Sequence, residues 1–247
     1  MTDNDARFDA AMASAVSGCG AGGIGTLGEK TLHAVLKYYF EPDSTRHEVK
    51  IGRYVADIAG EHGIIEIQTR SFNALRPKLA AFLKDNDVTV VYPIPAVKWL
   101  CWLDGETGSV TKKRKSPKQG TLYDAFFELY KIKSFLGEPR LHLCFPLLEL
   151  TEYRNLDGWS TDKKKGASRC DRIPEKLLDV VRFDCASDYR LLIPEDLPSP
   201  FTSADFAKKV RIRTRSAQLV LNVLKTIGTV VPCGKKGNAI LYITEVS

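Results

Sequence analysis

The chain has 247 residues, 44% hydrophobic and 27% charged, with 36 Lys and Arg against 30 Asp and Glu, a net charge of +6. That balance is typical of a globular chain able to bury a real core in one large or two modest domains. No apolar run is long enough to span a bilayer as a helix and the start lacks a basic-then-apolar leader. The six scattered cysteines contain no Cys-x-x-Cys pair, which argues against a zinc site or a secreted disulfide scaffold; a cytoplasmic protein is expected.

Residues 1–16 read as a short, poorly anchored helix, followed by a glycine-rich stretch over 17–28. Gly18-x-Gly20-x-x-Gly23 has dinucleotide-loop spacing, but the preceding residues do not form the strand such a loop requires. Glu29 sits between Gly28 and Lys30, where a phosphate loop needs lysine directly after glycine, so a flexible lead-in is the preferred reading. An amphipathic helix is expected from about Glu29 to Phe40, opened by a Thr26-x-x-Glu29 capping box and ended by Pro42. Residues 46–59 suggest a bent strand or strand pair, 63–69 a strand, 74–84 a helix, and the apolar run from Val88 a central strand buried on both faces. This order defines an α/β layout.

Further along, 97–103 reads as a strand, Lys112–Lys118 as a basic loop, 121–135 as an amphipathic helix and 141–150 as a strand. Residues 154–175 read as a long basic loop containing Lys163, Lys164 and Lys165. A short helix is expected from Pro174, and Pro194, Pro198 and Pro200 mark a boundary. The tail predicts a capped helix over 202–210, a helix over 216–227 stopped by Gly228, and a hairpin of 229–232 with 239–245. Eight cations there face only Asp205 and Glu245, a net +6 equal to that of the whole chain. Helix, turn, helix and hairpin resemble a winged helix-turn-helix module, which implies a DNA partner. Arg213, Arg215, Gln218, Asn222 and Lys225 would lie along DNA, and Lys235 and Lys236 would grip its backbone.

The chemistry centres on Asp57 to Gln68. In a strand, Glu66 and Gln68 share a face, and a glycine turn can fold Asp57 back beside them. Paired carboxylates are costly to desolvate without a positive partner, and Mg²⁺ (or Mn²⁺) takes oxygen ligands from such pairs. This stretch, with the ordered helix and strands around it, resembles the PD-(D/E)XK nuclease superfamily over roughly residues 26–95. The resemblance implies a restriction-endonuclease-like mixed sheet flanked by helices, forming a nuclease-like domain over 1–195 with an extension at 96–195, and a winged-helix-like domain over 196–247. It implies Asp57, Glu66 and the carbonyl of Ile67 as metal ligands, and Glu29 and Gln68 as catalytic partners. The activity implied is Mg²⁺-dependent endonucleolytic cleavage of DNA, in restriction, defence or repair. Superfamily members often act as dimers, so a homodimer fits the resemblance.

One departure stands out: Gln68 occupies the usual lysine position. Glutamine can hydrogen-bond the attacking water but brings no charge. Arg70, two residues on, and Lys78, on the following helix, are the candidates to supply it and to contact nucleic acid. Some active members resemble this Glu-x-Gln variant. The alternatives are a catalytically inactive DNA-binding or regulatory protein on the same scaffold, and a nuclease acting on RNA or on branched or damaged DNA.

Overall fold

In the computed structural model, which describes residues 3–18, 31–104, 107–156 and 168–245, helices cover both faces of an eight-stranded mixed sheet. β1 (His47–Ile51), β2 (Tyr54–Gly60) and β3 (Gly63–Ile67) form an antiparallel meander. β4 (Val88–Val91) runs parallel to β3 through a crossover containing α3 (Arg76–Phe82). β5 (Ile94–Leu103) follows β4 almost directly. Both lie in tandem along β7 (Leu141–Asn155), parallel to it, while β8 (Arg169–Phe183) runs antiparallel along its other edge. A short β6 (Arg114–Lys115), within the expected basic loop, pairs with β5.

The expected helix over 74–84 is a 3-10 turn (Phe72–Leu75) leading into the seven-residue α3, with Pro77 near its start, where a missing N–H costs nothing. The expected helix over 121–135 is α4 (Leu122–Leu129) followed by 3-10 geometry over Tyr130–Phe135. Two expectations are overturned. The first helix, α1 (Asp3–Gly18), is firmly anchored: Phe8, Ala11 and Ala15 are buried against α2 (Thr31–Phe40), and Arg7 lies over the Tyr39 ring. Residues 169–183 form a strand rather than a loop and short helix. Pro174 is tolerated there because β8 is an edge strand.

Two apolar clusters sandwich the sheet. One joins α1 and α2 to one face. The other gathers α3 and α4 on the opposite face and continues into α5 (Ser203–Lys209) and α6 (Thr214–Ile227). Thr202 and Asp205 cap α5 reciprocally, and β9 (Phe201–Thr202) joins the hairpin of β10 (Val230–Lys236) and β11 (Ala239–Thr244). In α6, Ala217, Val220, Leu221 and Leu224 recur at helical spacing and are fully buried; Gly228, at φ +92°, supplies the left-handed cap. Among the described residues, no helix is long and apolar enough to cross a membrane.

Candidate active site and nucleic-acid surface

The β2–β3 register pairs Ile58 with Ile65, which sets Asp57 opposite Glu66. The ladder stops there. Asp57 Oδ2 accepts the Ile67 N–H at 2.7 Å, so the carboxylate takes the place of a backbone acceptor where the strands splay. His33 of α2 also hydrogen-bonds Asp57 Oδ2 through Nε2, at 3.2 Å. Burial opposes the ionised form of Asp57, but the His33 contact, the Ile67 amide and the Lys78 charge outweigh it and hold its pKa below the ordinary value.

Glu66 is the other half of the pair and is completely inaccessible. Lys78, on α3, donates to both of its oxygens, at 3.0 and 2.9 Å. Burial, then repulsion from Asp57, nevertheless pushes the Glu66 carboxyl up to about 7, against the pull of Lys78. One member of the pair is therefore firmly ionised, and the other sits at the edge of ionisation near neutrality. This splitting is what like charges in a shared, partly dehydrated site produce.

The sequence-identified residues fall out as follows. Asp57, Glu66 and Lys78 are brought together, and of the two candidate cations Lys78 takes the role opposite the carboxylates. Gln68 follows at the end of β3, anchored by its N–H to the Val91 carbonyl; its side-chain amide has no hydrogen-bond partner among the described residues. The Ile67 N–H is engaged by Asp57. Glu29 and the Thr26 capping box lie outside the described residues. Arg70 is exposed and lines a small cavity with Thr69, Arg169 and Arg172. Sequence reasoning missed His33. Its signal was the four-residue spacing from Glu29, one helical turn along the same expected face, and Lys37 follows at the next such step. Lys37, itself buried, bonds Glu48 at 2.8 Å, and the β1–β2 register sets Glu48 opposite Asp57.

At the far end of the chain, Arg213, Arg215, Gln218 and Lys225 are exposed on or beside α6, and Lys235 and Lys236 are exposed on β10. Asn222 is half-buried and accepts from Lys133 of the 3-10 segment after α4, which ties α6 to the larger part. A groove of about 490 Å³ runs between the start of α4 and the start of α6, with Lys118, Arg211 and Arg213 on its walls.

The fold and site together describe a mixed α/β protein with a carboxylate pair at a splayed strand end. A family model described as "Domain of unknown function (DUF8091)" matches residues 30–184, and the chain belongs to that family. An uncharacterized protein of Treponema pallidum (strain Nichols) is 30% identical over 230 residues, covering 90% of this chain and 88% of its own. No solved structure matches. The family segment contains His33, Asp57, Glu66, Gln68 and Lys78, and ends before α5 and α6 begin.

Proposed function

We propose that this protein is a Mg²⁺-dependent endonuclease that hydrolyses DNA phosphodiester bonds at the Asp57–Glu66 pair. The observation that carries the reading is two acidic side chains opposite each other on neighbouring strands, Glu66 buried and Asp57 half-buried, with Lys78 on Glu66 and their ionisation driven apart. Oxygen donors of this kind suit Mg²⁺ or Mn²⁺, and a dication would relieve the repulsion that raises Glu66. Among the described residues, no group of three or more His, Cys, Asp or Glu surrounds a common point. Mg²⁺ keeps several waters and takes one or two carboxylates plus substrate phosphate oxygens, so the ion would need no third protein carboxylate.

Asp57 and Glu66, with the Ile67 carbonyl, would hold the ion. Once bound, the ion would polarise the scissile phosphate and lower the pKa of a bound water. His33 orients Asp57. The Gln68 amide would hydrogen-bond a water, and Lys78 would bring the positive charge that Gln68 lacks. The exposed cations of α6 and β10 would hold the duplex as a winged helix does, with Arg213, Arg215, Gln218 and Lys225 along the groove and Lys235 and Lys236 on the backbone.

A second reading, a non-catalytic DNA-binding protein, is favoured by one fact: Lys78 already neutralises Glu66 without any ion. Incubation with plasmid, single-stranded DNA and RNA, with Mg²⁺, Mn²⁺ or a chelator, separates the two. The expected result is metal-dependent nicking that falls by roughly 100-fold or more in Asp57→Ala and Glu66→Ala, since metal stabilisation is worth several kcal/mol. Lys78→Met should lose roughly tenfold or more, as removal of one charged transition-state contact does. Nicking that survives Asp57→Ala would sink the site. DNA binding without cleavage of any substrate would establish the second reading.

A further inference from the structure

A second concentration of charge, of opposite sign, lies on β7 and β8. Glu152 of β7 is buried, with Arg154 Nη2 at 2.6 Å, Arg169 Nε at 3.3 Å and Arg172 Nε at 3.6 Å. The β7–β8 register explains the convergence. Glu152 faces Arg172 and Arg154 faces Arg169, with one extra residue, Cys170, bulged on β8 between them. That bulge turns Arg169 and Arg172, three apart, onto the face that Glu152 and Arg154 share. Lys98 of β5 feels the same carboxylate, and Arg70 adds its field to Arg172 from the end of β3.

Among the described residues, three guanidinium groups thus contact one carboxylate, with Lys98 in its field and Arg70 in that of Arg172. Glu152 stays ionised because the cations around it outweigh its burial, and its single charge offsets only one of the three guanidinium groups that contact it. The cost falls on Arg172, where burial and then repulsion from Arg169 weaken the hold on its proton. Partly dehydrated guanidinium groups gathered in this way favour an added anion. The cavity where the cluster opens holds about 20 Å³, roughly one water, and is lined by Leu32, Thr69, Arg70, Arg169 and Arg172, so a larger anion would sit at its mouth with one oxygen inside. Thr69 follows Gln68, and Leu32 precedes His33, so the cavity adjoins the carboxylate site. Guanidinium forks match phosphate oxygens in pairs, and three at the mouth of one cavity suit a dianion better than the single charge of a passing phosphodiester.

The geometry points to a phosphate-monoester pocket formed by Arg70, Arg169 and Arg172. The pocket stands on its own residues; that its ligand is the terminal phosphate of a nucleic-acid strand rests on the nuclease reading. On linear or already nicked strands it would act as an end anchor and fix where the chain lies relative to Asp57 and Glu66, while an intact circular strand would not engage it.

The test uses the full chain in chelator, so that no cleavage enters the readout. Fluorescence anisotropy is measured with single strands ending in a 5′-phosphate, a 3′-phosphate or hydroxyls only, labelled at the opposite end, and with inorganic phosphate as competitor at matched ionic strength. The expected result is at least tenfold tighter binding of one phosphorylated end, competed by inorganic phosphate. That advantage should shrink below twofold in Arg70→Gln and Arg169→Gln, with Tm in phosphate-free buffer checked to show that the variants fold. Arg172→Lys keeps a charge against Glu152 but loses the fork, and should behave the same way. Competition and thermal stabilisation by inorganic phosphate without an end preference would support the pocket and make free phosphate its ligand. Equal binding of all ends with no effect of inorganic phosphate would overturn the proposal, whether or not the protein cleaves DNA with metal.

Discussion

Glu66 makes the fold itself pH-sensitive. Its carboxyl in the folded protein lies near 7, above the ordinary 4.5, so the folded state binds the proton more tightly than the unfolded chain. The stability this contributes is fully present below about 4.5 and is lost as pH rises through 7. A shift of this size corresponds to about 3 kcal/mol. Urea unfolding should therefore show the wild type losing up to about that much between pH 5 and pH 8 from this group, and Glu66→Gln should flatten the decline. Mg²⁺ should restore stability at pH 8, where the carboxylate is ionised, and not at pH 5. A wild-type profile matching that of Glu66→Gln would refute the assignment. The acidic pair was legible because strand periodicity and the glycine turn fix both positions. The partner of Glu66 was not: Arg70 and Lys78 were equal candidates, and only the path of α3 puts Lys78 on the carboxylate and leaves Arg70 to the cavity beside it.

Among the elements, α1 gains importance that its sequence concealed. Its first turn holds Asp3 and Asp5, and its inward side chains other than Phe8 are mostly alanines, so its apolar stripe is weak. Nevertheless Phe8 packs edge-on against Tyr39 of α2, the helix that carries His33 to Asp57. Phe8→Ala should lower stability by about 3 kcal/mol, seen as a shift of the urea midpoint at constant m value. A midpoint unchanged by the substitution would show that α1 does not support α2. β8 was hidden for another reason. Its ladder with β7 slips at three places, so Asp171, Pro174 and Leu177 are buried at every third residue rather than every second. That spacing imitates a helix, and Pro174 imitates a helix start.

For the whole molecule, charge and packing follow different divisions. The positive excess is concentrated after residue 201, yet the apolar cluster runs without a break from α3 and α4 into α5 and α6, and Lys133 reaches across to Asn222. Prolines mark where the chain changes composition; they carry no information on which surfaces meet, so this continuity was not legible. The helix, turn, helix and hairpin order was, because capping residues and Gly228 punctuate it locally. If the exposed cations hold DNA, Lys235→Ala with Lys236→Ala should weaken binding alike for unrelated sequences. The double substitution should also lower the slope of log K against log salt by about 1 to 2, one for each lost phosphate contact. Unchanged slopes would remove the hairpin from the interface.

The turn between β2 and β3 works as a length gauge. Gly63 has φ +92°, and a Cβ there would come within 2.4 Å of the Asp87 carbonyl, so no other side chain fits while Ile64 remains paired to Asp87. Glycine at this point pins the meander to the start of β4 and thereby sets how many residues separate the turn from Glu66. A residue added at the tip, at Glu61 or His62, would leave the acidic pair in step. The same residue added between Ile64 and Glu66 would turn Glu66 through the sheet and away from Lys78. What the site inherits from this hairpin is a count, and sequence variation around it is tolerable only where the count is kept.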